Sequence, residues 1–385
     1  MPSITKLLNS PSFCILPWIS LTINTKGEIT PCCINHFKLA DSTEISNNQN
    51  EILNHPSFLK LRKGMMLGSL PLHFKQCSVT GKKTLREIKN ESLIKILTNE
   101  DISRIENTKI SGEIENPKIR YIDIRPSNIC NLKCRTCSPE FSSRLHQEER
   151  SLIEFRKPFK LSDNQSLISG LKETYFAGGE PLIDEEHYKS LSLIPNDVSL
   201  IYNTNFTQTS FKNLSIFEFW KDREKLLVGV SIDDINDRLA YLRHGSDYNK
   251  IQENFRKFHK VIPNSFDKIK ISITVSIFNI LYLGEIIDDF IEKKLVNTDK
   301  ITLNFLYYPS VFRCNSYKSL MGDSLEKAVS KINVESLRDQ VNTFLTQNND
   351  PECDPILFLE KVREKDKLRN ENFEDVYPEL AKFFI

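Results

Sequence analysis

Three cysteines within eight residues constrain this chain more than anything else in it. They stand in Cys130-Asn131-Leu132-Lys133-Cys134-Arg135-Thr136-Cys137, a C-x3-C-x2-C spacing just after the apolar run Ile119 to Ile124. Thiolates this close in a loop can turn inward onto one inorganic centre. Three of them fill three corners of a 4Fe–4S cube and leave one iron open for another ligand. A structural zinc site asks for four protein ligands, and no further Cys or His follows closely. A disulfide framework fits poorly too: the chain is long, its nine cysteines are odd in number, and no secretory segment precedes them.

The remaining composition sets broad limits. With 385 residues, 39% hydrophobic and 27% charged, there is room for one large globular domain and one or two smaller ones. A net charge of +1 supplies no global field that would draw the chain to nucleic acid or to an acidic membrane. No apolar run nears the roughly 18 residues that span a bilayer. The start, Met1-Pro2-Ser3-Ile4-Thr5-Lys6, lacks the basic and apolar regions of a signal peptide. These features predict a cytoplasmic protein with no membrane or nucleic-acid partner. Its cysteines would serve metal binding or catalysis rather than bridges.

From about Lys118 the chain alternates between apolar strand runs and helical patterns. Strands are predicted at 119–124, 173–177, 198–202, 226–232, 269–275 and 301–306. Helices are predicted at 141–155, 185–192, 214–221, 235–242, 248–261 and 282–294. Apolar strands alternating with helices imply an α/β fold with a parallel sheet covered by helices. The chain divides into an N-terminal segment 1–112, a core 113–312 and a helical C-terminal region 313–385 that would cover one end of the core. In the first segment, Ile19 to Ile23 reads as a strand, Lys26-Gly27-Glu28 as a turn and Ile29 to Cys33 as the returning strand. That hairpin would bring Cys14 and Cys33 close. A helix near 58–66 follows, then Cys77.

In parallel barrels chemistry gathers at the C-terminal ends of the strands, and polar residues fall there in this chain. Gly178-Gly179-Glu180-Pro181 follows the second strand. Glycines let backbone approach a ligand closely; taken alone, the stretch is a Gly-Gly turn with an exposed Glu. The third strand ends in Asn203-Thr204-Asn205, residues that also simply start loops. The fourth ends in Ser231-Ile232-Asp233, and Arg243-His244-Gly245-Ser246 comes after the next helix. The Arg243 guanidinium suits a carboxylate ligand, or a surface ion pair with Asp233 or Asp237. Thr274 and Ser276 end the fifth strand. Cys314 and Cys353 are isolated and read as free thiols, and Trp18 and Trp220 as core. No Ser-His-Asp order and no phosphate loop stands out.

Cys130, Cys134 and Cys137 at this spacing, with Gly178-Gly179-Glu180-Pro181 about 40 residues on, resemble the radical S-adenosylmethionine (radical SAM) superfamily. The resemblance implies an open, partial (β/α)6 TIM-like barrel. It implies a 4Fe–4S cluster on the three cysteines and S-adenosylmethionine chelated to the open iron. One electron, from a flavodoxin- or ferredoxin-like donor, would cleave the sulfonium to a 5′-deoxyadenosyl radical that takes hydrogen from a substrate. Gly178 to Pro181 would meet the methionyl amino group, and Asn203 and Asn205 the ribose or carboxylate. The run from Ser231 and Asp233 to Arg243 is similar to S-I-D…R-x-G-S of twitch-containing relatives, with Arg243 on the carboxylate of S-adenosylmethionine. Thr136 departs from the aromatic that many relatives carry at that place.

The N-terminal pattern resembles the auxiliary-cluster segment of twitch and SPASM radical SAM proteins, which binds a second iron–sulfur cluster. It consists of Phe13-Cys14 to Pro17-Trp18, then Gly27 to Pro31-Cys32-Cys33, a helix and Cys77. Thr84-Leu85-Arg86 also echoes that group. Cys77-Ser78-Val79-Thr80 stands where a C-x2-C pair is usual, so the fourth ligand is missing. Cys14, Cys33 and Cys77 would then hold a cluster with one open iron, or Cys32, His36 or His73 would take a corner. Alternatively the segment keeps its fold without metal, its cysteines being small buried hydrophobes. The resemblance implies an enzyme acting on a small polar substrate of sugar, cyclitol or nucleotide-like kind, because no separate leader-recognition domain stands before the barrel. Modification of a ribosomal peptide or protein is the alternative within that class. From another class comes a non-catalytic Fe–S or S-adenosylmethionine-binding sensor or assembly protein.

Overall fold

The computed structural model describes residues 2–35, 37–44, 47–69, 77, 79–80, 83–155, 159–347 and 351–385. His36 and His73 lie outside them. The chain packs as two compact units: Met1–Ile129 with Leu152–Tyr202 and Glu218–Leu226, and Cys130–Ser151 with Asn203–Phe217 and Leu227–Ile385.

The first unit is built on strands β1 (Ser20–Ile23), β2 (Glu28–Thr30), β3 (Ala40–Asp41), β4 (Tyr121–Ile124), β5 (Glu173–Phe176) and β6 (Ser199–Thr204), in the order β6-β5-β4-β1-β2-β3. β4, β5 and β6 are parallel, and β1 runs parallel to β4 with Thr22 opposite Asp123. β2 and β3 return antiparallel. β2 stops at Thr30, short of the predicted Cys33, because Pro31 has no N–H to extend the ladder. Thr84, part of the sequence echo noted above, caps helix Leu85–Leu93 in a capping box with Glu87. On that helix, buried Asn90 accepts from Ile15 N–H at 2.8 Å and donates to the Phe13 carbonyl at 3.1 Å. The segment carrying Cys14 is thereby fixed from both sides.

The second unit carries β7 (Leu226–Ser231), β8 (Ile269–Val275) and β9 (Ile301–Phe305), all parallel, with Val230 opposite Ile271 and Ile273 opposite Leu303. β8, Ile-Lys-Ile-Ser-Ile-Thr-Val, is rich in β-branched residues and buries most of both faces, as a covered parallel strand must. Helix Tyr248–Val261 shows how the helices are specified. Asp247 caps it by accepting from Asn249 and Lys250 N–H. Tyr248, Ile251, Phe255 and Phe258 recur on one buried face, and Ile262 ends it in extended form before Pro263. The fold is thus α/β, with three parallel strands in each unit.

Two predicted helices come out shorter. Residues 141–155 are helical only over Ser143–Glu148, and the chain leaves the helix through Arg150 at φ 50°. In 214–221, Leu214–Ser215 pairs with Ser210–Phe211 around Lys212 at φ 52°, so the helix begins at Ile216. The C-terminal region is helical as expected, with helices Lys318–Ser330, Glu335–Gln347 and Pro355–Arg369. Among the described residues no helix is long and apolar enough to cross a membrane.

Helix Pro355–Arg369 is fastened by aromatic packing. Phe358, fully buried, sets its ring 5.6 Å from Phe278, 5.5 Å from Phe373 and 4.3 Å from Phe384. Truncating it would remove this centre and leave a cavity. Phe358→Ala is expected to cost about 3–5 kcal/mol, read as a lowered thermal midpoint; a midpoint within one degree of wild type would contradict the packing described.

Candidate active site

The cysteine loop begins where β4 ends, and its entrance is closed by the Gly178–Glu180 backbone. Glu180 N–H donates to the Ile129 carbonyl at 2.7 Å and Gly179 N–H to the Ser127 carbonyl at 3.2 Å. A Cβ on Gly179 would lie 2.1 Å from the Ile129 oxygen, and Gly178 sits at φ 124°. Only glycine permits that approach at Gly179 and that backbone at Gly178. Glu180 is buried, not the exposed side chain of a plain turn. Its Oε1 accepts from Leu182 N–H at 3.1 Å and caps the 3-10 turn Pro181–Ile183.

Beyond Ile129 the loop is held by polar side chains. Asn131 donates to Thr207 Oγ1 at 2.8 Å and accepts from Asn205 Nδ2 at 3.0 Å. Asn205 Oδ1 accepts from the Thr207 hydroxyl at 2.7 Å, closing a triangle. Two N–H groups point at the Cys130 sulfur, from Leu132 at 3.5 Å and from Asn205 Nδ2 at 4.0 Å. Ser143 Oγ accepts from Cys130 N–H at 3.2 Å, and Ser142 Oγ donates to the Leu132 carbonyl at 2.7 Å while capping helix Ser143–Glu148. Lys133–Cys134 pairs antiparallel with Arg243–His244, which sets Arg243 opposite Cys134.

Arg243 and Asp233 form the ion pair that the sequence left as one alternative, but in the interior rather than on the surface. Nε lies 2.7 Å from Asp233 Oδ2, and Asp233 is 1% exposed. Asp233 Oδ1 also accepts from Thr274 N–H at 2.7 Å, and its carbonyl accepts from Asn279 at 2.7 Å. The carboxylate therefore ties the ends of β7 and β8 together. Asn203 is exposed and Ser231 half-buried. Ser276 is buried, and its hydroxyl has no partner among the described residues.

Burial pushes the Cys137 thiol up to about 12, and the neighbouring Cys134 and Cys130 add to it while Arg243 works the other way. Burial likewise raises Cys134, with Arg243 again opposing. Two thiols that resist ionisation unless a positive centre arrives, with N–H donors aimed at the sulfur of the third cysteine, suit iron ligation. Among the described residues no three Cys, His, Asp or Glu side chains crowd onto one ion's coordination sphere. A cube asks each cysteine for a different iron and accepts wider spacing.

The sequence missed the residues that clamp this loop from a distance. Arg135, with a side chain 1% exposed, sends Nη2 to Asp366 and Glu371 at 2.5 Å each and Nε to the Tyr241 carbonyl at 3.1 Å. It also lies 3.6 Å over the Tyr241 ring. Glu148 collects Lys133 at 2.5 Å, Arg369 at 2.7 Å and Lys365 at 3.2 Å. No short-range pattern connects residues this far apart in the chain.

In the N-terminal segment, Cys14, Cys32 and Cys77 act on one another electrostatically, and burial pushes Cys14 and Cys32 up to about 11. On Cys33 the buried Asp123 carboxylate and Arg125 act more strongly than Cys32 does.

Two tests follow from this geometry. Gly179→Ala forces a methyl into the Ile129 carbonyl, and is expected to lower iron loaded per chain at least severalfold; wild-type loading would contradict the contact. Burial alone would raise the Glu148 carboxyl, but hydrogen bonds from Arg369 and Lys133 outweigh it and hold it at about 2. Its stabilisation is complete above the ordinary value of 4.5 and is lost as pH falls toward 2. Glu148→Gln should therefore melt below wild type at pH 7 and converge with it near pH 2. A pH-independent gap would contradict the ion cluster.

A family model described as Radical SAM superfamily matches residues 124–292. Curated relatives are GTP 3′,8-cyclases. That of Clostridium botulinum (strain Okra / Type B1) is 28% identical over 170 residues, 41% of this chain and 48% of the relative. That of Alkaliphilus metalliredigens (strain QYMF) is 23% identical over 222 residues, 56% and 64% of the two. The chain thus spans about half the length of the first of these relatives. Among solved structures, Streptococcus suis SuiB bound to S-adenosylmethionine aligns at 15% identity and a TM-score of 0.42, over 79% of this chain and 62% of that one. Residues 124–292 thus match the radical SAM superfamily, an enzyme family whose cofactors are a 4Fe–4S cluster and S-adenosylmethionine.

Proposed function

We propose that this chain is a radical SAM enzyme whose cluster rests on Cys130, Cys134 and Cys137 and whose substrate is a small polar, nucleotide-like molecule. The observation that carries the reading is the cysteine loop itself: three half-buried thiols, two N–H groups on the Cys130 sulfur, and an arginine set opposite Cys134. A bound cluster with S-adenosylmethionine on its open iron would supply reductive cleavage to a 5′-deoxyadenosyl radical. The protein's part is to hold and orient. The Leu132 and Asn205 N–H groups balance charge on Cys130. Asp233 takes one nitrogen of Arg243 and leaves the fork's outer N–H groups for the carboxylate of S-adenosylmethionine. Gly178 to Pro181 hold the backbone at Ser127 and Ile129, where the loop begins. An electron donor of flavodoxin or ferredoxin type belongs to the same reading.

The substrate class draws support from the curated relatives named above, which are GTP 3′,8-cyclases. The N-terminal cysteines are the second question. Where a second cluster forms, the reading assigns it to Cys14, Cys32 and Cys77, with Cys33 kept as a thiol on Asp123.

The test is anaerobic reconstitution, iron counting, and incubation with dithionite and S-adenosylmethionine, in wild type and in the Cys130, Cys134, Cys137→Ala triple variant. About four irons per chain, release of 5′-deoxyadenosine, and loss of both in the triple variant are expected. Full cluster with no 5′-deoxyadenosine, with or without GTP present, would defeat the enzyme reading. Should three or four irons survive in the triple variant, Cys32→Ser should remove them and Cys33→Ser should not.

A further inference from the structure

Asp184 follows the 3-10 turn Pro181–Ile183 and is buried, at 6% exposure. Its two oxygens serve two different elements. Oδ1 accepts from Glu186 N–H at 2.8 Å and caps helix Glu185–Leu191. A cap asks for that one acceptor, and Asn or Ser supplies it as well as Asp does. The second oxygen is committed elsewhere. Oδ2 accepts from the hydroxyl of Ser127, 57 residues away in the chain.

Ser127 passes that bond on. Its proton is given to Asp184, so its oxygen is left to accept, and it takes Ile129 N–H at 3.1 Å. The Ser127 carbonyl accepts from Gly179 N–H at 3.2 Å, and the Ile129 carbonyl from Glu180 N–H at 2.7 Å. Asp184 belongs to the same turn, since its own N–H donates to the Pro181 carbonyl at 3.2 Å. The turn therefore grips the stretch before Cys130 twice: by backbone at Gly179 and Glu180, and by side chain at Asp184. Both backbone polar groups of Ile129, the residue joined to Cys130, are taken up in this way.

We propose that Asp184 is a positioning residue for the cluster, acting through Ser127 to fix Ile129 and with it the place of Cys130. The proposal rests on the cluster reading above. A cysteine sulfur is only as well placed as the backbone that carries it. Partners one step behind a metal ligand typically change metal affinity about 10- to 100-fold when they are removed.

The experiment measures how fast a ferrous chelator strips iron from the anaerobically loaded full chain, with the thermal midpoint of the iron-free chain beside it. Wild type, D184N, S127A and the double variant are compared. Asn keeps an acceptor for Glu186 N–H but presents its amide N–H groups to Ser127, a donor where an acceptor stood. D184N should therefore melt as wild type does and lose iron about tenfold faster. S127A should do the same. The double variant should lose iron no faster than the faster single, because both changes cut one chain of bonds. Iron held in D184N as firmly as in wild type, or rates that multiply in the double variant, would overturn the proposal and leave Asp184 a helix cap alone. If D184N melts low, S127A decides: faster loss of iron at an unchanged midpoint upholds the proposal, and an unchanged rate overturns it. Absence of iron from wild type would instead remove the cluster reading itself.

Discussion

The buried guanidinium of Arg135 is the interaction on which the site depends. It stands next to Cys134 and two residues before Cys137, and its charge is met by carboxylates more than 200 residues away, Asp366 and Glu371. Removing one side of such a pair leaves an uncompensated charge in the interior, a loss of several kcal/mol. The loop's shape is imposed from outside, by partners far along the chain. Here the order of cause runs from an aromatic cluster around Phe278 and Phe358, to the seating of a helix, to two carboxylates, to an arginine, to a cysteine.

Polar neighbours complete the support. Asn131, Asn205 and Thr207 satisfy one another in a closed triangle, and the serines that cap helix Ser143–Glu148 also take up loop backbone. Each of these groups is buried or nearly so, and none can turn away without leaving a donor or acceptor unpaired. The glycines work through space instead: Gly179 admits the Ile129 carbonyl where any side chain would exclude it.

Much of this was legible in the residue order. Strands such as Ile269–Val275 announce themselves by β-branched runs, and helix Tyr248–Val261 by its cap and apolar spacing, so both emerge where expected. The cysteine triad, the Gly-Gly-Glu-Pro run and the Asp233–Arg243 pairing were visible as motifs. Left-handed residues were not: Arg150 and Lys212 cut short two helices that their flanking composition favoured. Pro31 ended β2 early, and once the ladder stops, alternation no longer says which of Cys32 and Cys33 faces Cys14. Arg135 and Arg369 carry no local signal at all, because their partners are chosen by the fold. The N-terminal hairpin adds β1 beside β4, the strand that leads into the cysteine loop.

The central claim is that three cysteines leave one iron of a 4Fe–4S cluster open for S-adenosylmethionine. The most direct measurement is the electron paramagnetic resonance spectrum of the reduced, loaded chain before and after S-adenosylmethionine is added. A cluster signal whose g-values shift on addition, in wild type and in the Cys14, Cys32, Cys77→Ala variant alike, is the predicted result. A strong signal that S-adenosylmethionine leaves untouched would mean that the fourth iron is already occupied by the protein, and would contradict the account.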